Sequence, residues 1–266
     1  MLELEIENKN GWKTVYAAVK EGKVEVFRGL MSWVKMDIEK GFVWTLIYTA
    51  AINGDVRVVR ELLNCGVRMD IANIKDCTLI CAAAEAGHVE VVRELLKRGA
   101  RMDIEKLVLI SIHAAVNGGH VEIVRELLNR GVRMDIANDN GSALIYAAAR
   151  EGHVEVVREL LNRGARIDIA NKEGCTPIYA AAKGGHVEVV RELMNRGAKM
   201  DIANEEGCTA VYAAAKGGHV EVLRELLNPR ARRPVYVASQ SGHIVVVGCA
   251  SVNFKFTLSD IVNGSI

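Results

Sequence analysis

A near-constant period governs this chain. Gly-His, or the pair that replaces it, falls at Gly22, Gly54, Gly87, Gly119, Gly152, Gly185, Gly218 and Gly242, so successive spacings are 32, 33, 32, 33, 33, 33 and 24 residues. Repetition at this length marks a repeat array, in which each copy contacts its neighbours and no single central core exists. Lys172–Asn204, KEGCTPIYAAAKGGHVEVVRELMNRGAKMDIAN, is the reference copy.

Within that copy, Thr176-Pro177 reads as a helix start. Threonine is a good N-cap, and proline is tolerated at the first helical position because its missing N–H would be unpaired there. Ile178, Ala181 and Ala182 share one helical face, and their small size admits a neighbouring backbone. Gly184-Gly185 stops the helix, since glycine enters the left-handed region without steric penalty. A second helix is expected from about His186 to Asn195. Val187, Val190 and Met194 form one apolar stripe on it, and Val189 with Leu193 a second. Gly197 ends it, and Ala198 to Gly207 should form an extended loop or hairpin. Both helices fall below the roughly 12–15 residues that an isolated helix needs in water. One copy therefore cannot stand alone, and stacking must bury its stripes.

The unit resembles an ankyrin repeat. The residues that carry the resemblance are Gly174, Thr176-Pro177-Ile178-Tyr179, Ala181-Ala182, Gly185-His186, Val189-Val190, Leu193-Met194 and Gly197-Ala198. It covers roughly residues 8 to 247. It implies an all-α ankyrin-repeat solenoid of helix-turn-helix units with projecting hairpin loops, and a protein-binding role without chemistry. The chain departs from the family where a histidine is usual: Tyr16, Tyr48, Tyr146, Tyr179, Tyr212 and Tyr236 stand there, with Cys81 once and His113 once. A tyrosine ladder is expected to replace that histidine's hydrogen bonds.

Residues 1–9 read as a lead-in or cap, 10–247 as seven repeats plus a truncated eighth, and 248–266 as a divergent tail. The second and fourth repeats carry apolar residues at the expected hairpin: Gly41-Phe42-Val43-Trp44, and Lys106-Leu107-Val108-Leu109-Ile110. After Asn228 the register breaks at Pro229-Arg230-Ala231-Arg232-Arg233-Pro234. Asn253 to Ser259 alternates like a strand. Disorder, a swapped edge and an error in the underlying gene sequence all stay open for that tail.

Half the residues are hydrophobic and only 5% aromatic, which suits thin, closely packed helices. A net charge of +1 gives no global argument for nucleic acid or a membrane surface. The N-terminus has no basic-then-apolar signal region, and no apolar run approaches the roughly 18 residues that span a bilayer. Of the six cysteines, Cys77, Cys175 and Cys208 share one column. Stacked helices lie roughly 8–10 Å apart, whereas a disulfide needs Cα atoms within about 7 Å, so Cys175 and Cys208 should not bridge. Cys77 and Cys81 are near enough in sequence for a weak metal or redox pair, a minor reading beside reduced thiols in a cytoplasmic or nuclear protein.

The histidines before each second helix are too far apart to share a metal with bonds near 2 Å. They are expected to cap those helices. Arg60, Arg93, Arg125, Arg158, Arg191 and Arg224 run beside a glutamate column. Intrahelical pairs such as Glu155 with Arg158 and Glu159 with Arg163 point to a solvated outer face. The aspartates Asp70, Asp103, Asp135, Asp168 and Asp201 repeat without a non-repeating partner, so no catalytic constellation is visible. No catalytic, cofactor or metal residue is assigned, and no enzyme activity, cofactor, nucleic acid, membrane or small-molecule substrate is expected.

Recognition is expected from residues that break the repeat. The resemblance places the residue before the Thr-Pro pair, the hairpin tips and the residues before Gly-His on a concave binding side. That selects Trp12, Phe42, Trp44, Leu107 and Leu109 as apolar anchors and Arg150, Lys183 and Lys216 as a modest basic stripe. The expected function is a non-catalytic scaffold, acting as a monomer, that binds a protein partner there. The alternative is the targeting portion of a larger regulatory protein, such as a ubiquitin-ligase adaptor.

Overall fold

The computed structural model describes residues 9–33, 40–69, 77–100, 105–135, 137–138, 140–227, 243–247 and 253–257. They hold fourteen helices and one two-stranded hairpin, in two compact units, Met1–Val132 and Arg133–Ile266. The first unit contains four helix pairs: α1 (Lys9–Lys20) with α2 (Val24–Trp33), α3 (Lys40–Asn53) with α4 (Val56–Asn64), α5 (Leu79–Glu85) with α6 (Val89–Lys97), and α7 (Glu105–Asn117) with α8 (Val121–Asn129). The second contains three: α9 (Leu144–Glu151) with α10 (Val154–Asn162), α11 (Pro177–Gly184) with α12 (Val187–Asn195), and α13 (Ala210–Lys216) with α14 (Val220–Leu226). Within each unit the first helices stack on one another and the second helices form a parallel layer behind them.

Local signals start and stop the helices as the residues predict. Thr176 Oγ1 accepts from the Tyr179 N–H at 3.4 Å, Pro177 occupies the first turn, and Gly185 takes φ 76° at the C-terminus. Thr78 and Thr209 cap α5 and α13 in the same way. Ile178, Ala181 and Ala182 are buried, as are Val189, Val190 and Leu193, while Val187 and Met194 remain half-buried at the margin. The core repeats too: Val58, Val59 and Leu62 recur as Val91, Val92 and Leu95, then as Ile123, Val124 and Leu127.

Between pairs the connecting loops turn on asparagine. The Asn204 side-chain carbonyl accepts from the Glu206 and Cys208 N–H groups at 3.1 and 2.8 Å, and Asn171 does the same for Glu173 and Cys175. Such side-chain-to-backbone bonds imitate a turn and leave the chain reversed. Neighbouring tips are joined by Glu205 N–H to the Glu173 carbonyl at 3.0 Å.

Two expectations fail here. Phe42 and Trp44 lie within α3, and Leu107 and Leu109 within α7, not on hairpin tips. These helices run 14 and 13 residues against 8 in α11. KGFVW and EKLVL lack the turn-forming asparagine, and the helix continues outward through them. The second failure is at the C-terminal end. His243–Val247 is a strand, β1, where the truncated eighth repeat would place a second helix. It pairs antiparallel with β2, Asn253–Thr257, in the register His243 opposite Thr257, which supplies the partner that the alternating tail lacked. A run of Ile and three Val favours the strand.

Candidate interaction surface

The first helices carry the residues nominated for binding. In the first unit Trp44 is half-buried and stacks on Tyr48, ring centroids 4.5 Å apart and planes at 23°. Tyr48 packs in turn against Cys77, Cys81 and Ala82, which also meet Ile110 and Ala114. Leu107 and Leu109 are half-buried, and Val108 is buried. Tyr16 and Ile52 are each 39% exposed, so a discontinuous apolar strip follows these helices. The side chains of Trp12 and Phe42 lie outside the described residues.

The column before the N-cap threonine is mostly interior, against the expectation that it faces a partner. Cys77, Ser142, Cys175 and Cys208 are buried, and among the described members of the column only Trp44 and Leu109 keep partial exposure. Small side chains at this position tuck under the adjacent loop; the large ones cannot. In the second unit Arg150, Lys183 and Lys216 are exposed at the ends of α9, α11 and α13. Arg150 is engaged by Glu151 at 2.8 Å, which weakens the stripe.

Tyrosines follow one another inside the second unit. Tyr179 is buried beside Tyr146 and Tyr212, and burial, with the nearby Cys175 and Glu206, pushes its phenol up to about 12.

The recurrent polar residues have structural destinations. None of the described histidines at these helix starts caps its own helix through the side chain. Instead the ring reaches back one repeat: His88 Nε2 donates to the Ile52 carbonyl at 2.6 Å, His186 to Arg150 at 2.9 Å, and His219 to Lys183 at 3.0 Å. The approach requires glycine in the preceding copy. At Gly152 a Cβ would sit 2.5 Å from His186 Nδ1, on a backbone already at φ 82°.

The arginine column likewise links copies as well as turns of one helix. Arg158 binds Glu155 within α10 at 2.6 Å and Glu192 of the next repeat at 2.9 Å. Arg60 binds Glu94 at 2.9 Å, and Arg98 closes on the same carboxylate at 3.0 Å. Glu94 is 8% exposed, and the Arg60 hydrogen bond foremost, helped by Arg98 against the cost of burial, holds its carboxyl below the ordinary glutamate value. The solvated-face reading is therefore correct for one half of each cluster only. Asp168 accepts from the Lys199 N–H at 2.9 Å, so its recurrence is structural too.

Cys65, Cys77, Cys81 and Cys175 remain thiols. Cys208 is disulfide-bonded, contrary to the expectation of reduced thiols throughout. Among the described residues no group of three or more His, Cys, Asp or Glu side chains is placed to hold a metal ion, and no helix is long and apolar enough to cross a membrane.

The sequence model described as ankyrin repeats (3 copies) matches residues 15–106, 110–171 and 148–234. The chain belongs to the ankyrin-repeat family. The crystal structure of the human ASB11 ankyrin repeat domain matches with a TM-score of 0.72 at 26% identity, over 84% of this chain and 99% of that one. A search of curated proteins finds no match. Ankyrin repeats are in general protein–protein interaction modules and are generally non-catalytic. In this ankyrin-repeat chain recurrent polar residues such as His186 and Arg158 bind one repeat to the next.

Proposed function

We propose that this chain is a non-catalytic scaffold whose protein partner docks on the first-helix face of the unit 1–132, the concave side of the ankyrin reading. Trp44 carries the proposal. It is a large aromatic held half-exposed by stacking on Tyr48, where a core aromatic would be covered. Rigid aromatic anchors of this kind dominate interface energetics. Leu107 and Leu109, half-buried on α7, extend the same face, and Trp12 and Phe42 are added as anchors from the sequence alone. Arg150, Lys183 and Lys216 offer acidic side chains a second, weaker contact in the other unit. A cytoplasmic or nuclear setting fits the four thiols among five described cysteines.

The test is affinity capture from lysate with mass spectrometry to identify the partner, followed by Trp44→Ala with Leu109→Ala. Truncating an anchor costs about 2 kcal/mol or more, so capture should fall at least tenfold, while Arg158→Ala in the second-helix layer leaves it unchanged. Undiminished capture by the double variant sinks the mapping.

A further inference from the structure

Six of the eight copies place tyrosine four residues after the position of Cys77, and one places histidine. Only the third copy has a cysteine at both positions. Cys175 and Cys208 face Tyr179 and Tyr212 at the same offset, so neither has a sulfur there to meet.

In the third copy the sulfurs of Cys77 and Cys81 lie 2.8 Å apart and hydrogen-bond to one another. A disulfide bond is about 2.05 Å long, so the two atoms need to close by less than about 1 Å. Both side chains belong to a single short segment. Cys77 precedes the N-cap Thr78, and Cys81 lies in the first turn of α5, where its N–H bonds Thr78 Oγ1 at 3.4 Å. No movement between repeats is needed to bring them together. The pair is enclosed by Tyr48, Ile110 and Ala114, with Cys77 9% and Cys81 4% exposed. Cys77 is thus the more exposed residue of the two. It is also the better nucleophile of the two, because the thiolate is the reactive form: the Cys81 S–H favours the Cys77 thiolate, and Cys77 together with burial pushes Cys81 up.

We propose that Cys77 and Cys81 are a reversible oxidation site, a dithiol that low-molecular-weight disulfides such as oxidised glutathione convert to an intramolecular disulfide. The Cys77 thiolate attacks the reagent disulfide, breaking its S–S bond and releasing one thiol. The resulting mixed disulfide is attacked by Cys81, which loses its proton to solvent, and the second thiol departs. Two protein S–H bonds are lost and one S–S bond is gained. The protein gives up two electrons, and the reagent is reduced to two thiols. The product staples the residue ahead of α5 to its first turn, beside the Trp44–Tyr48 stack.

The pair lies in one tryptic peptide, Asp76–Arg93, which makes the readout direct. The full chain, reduced and freed of reductant, is equilibrated against graded ratios of oxidised to reduced glutathione, quenched with an alkylating agent and digested. The doubly alkylated peptide should give way to an unalkylated form two hydrogens lighter, restored by dithiothreitol. Half-conversion should need a glutathione ratio at least about tenfold less oxidising in the native chain than in urea, because the fold raises the effective concentration of one sulfur at the other. Cys81→Ser should halt with glutathione on Cys77, and the peptide carrying Cys175 should remain alkylated. A native peptide that stays doubly alkylated, or that oxidises no more readily than in urea, overturns the assignment. Both comparisons use the natural chain, so a misfolded Cys81→Ser variant would not blunt the test.

Discussion

Glu94 shows how a surface-looking charge becomes structural. It repeats as an ordinary helical glutamate, yet the stack buries it between Arg60 of the preceding repeat and Arg98, the residue that caps the C-terminus of its own helix. Its carboxyl is depressed in the folded chain, so the stabilisation is present above the unfolded glutamate value near 4.3 and is lost as pH falls through the lower folded value. Glu94→Gln should lower stability in urea by about 1–2 kcal/mol at pH 7, and the difference from the natural chain should shrink as pH falls through the lowered folded value. An undiminished difference at low pH would show that packing, not charge, carries the effect. The recurrence of Glu94 was visible in the residues. Its burial was not, because Arg60 lies 34 positions away and the two meet only through the stack. His186 makes the same point. As the first residue before a helix it reads as a cap, but its ring faces the Arg150 carbonyl 36 positions earlier, and that bond prevails.

At the level of single elements, capping chemistry is local, and it is legible. Thr176, Pro177 and Gly185 set the limits of α11, and each acts through backbone groups at most four residues away. Helix extension at α3 and α7 was not legible, because the family pattern assigned a hairpin to residues whose own preferences allow a helix. Leu109→Pro separates the two. In the interior of α7 it removes a helical hydrogen bond and clashes with the carbonyl four residues back, costing about 3 kcal/mol. A hairpin tip would accept proline at little cost, so a urea midpoint unchanged by Leu109→Pro would contradict the helix. The β1–β2 hairpin follows the same rule in reverse. Alternation in Asn253–Thr257 announced a strand, but its partner became apparent only when His243–Val247 left the repeat register.

For the chain as a whole, stability rests on adjacency. Helices of 8 and 9 residues bury Ile178, Ala182, Val190 and Leu193 completely only because copies lie on either side. A peptide spanning Lys172–Asn204 should therefore give a coil-like circular dichroism spectrum at 25 °C, whereas the full chain is strongly helical. A helical monomeric peptide would show that a single copy is self-sufficient. The order of residues alone dictates the period, the caps and the apolar stripes, since each is a relation among neighbours a few positions apart. The tertiary structure assigns Arg158, His186 and Asp168 to bonds between copies, joins β1 to β2 and sets Trp44 on Tyr48. Cys77 and Cys81 are neighbours in the chain, but how near their sulfurs come is again set by the fold. The deciding distances are spatial and depend on how one helix pair seats against the next, which no local preference encodes.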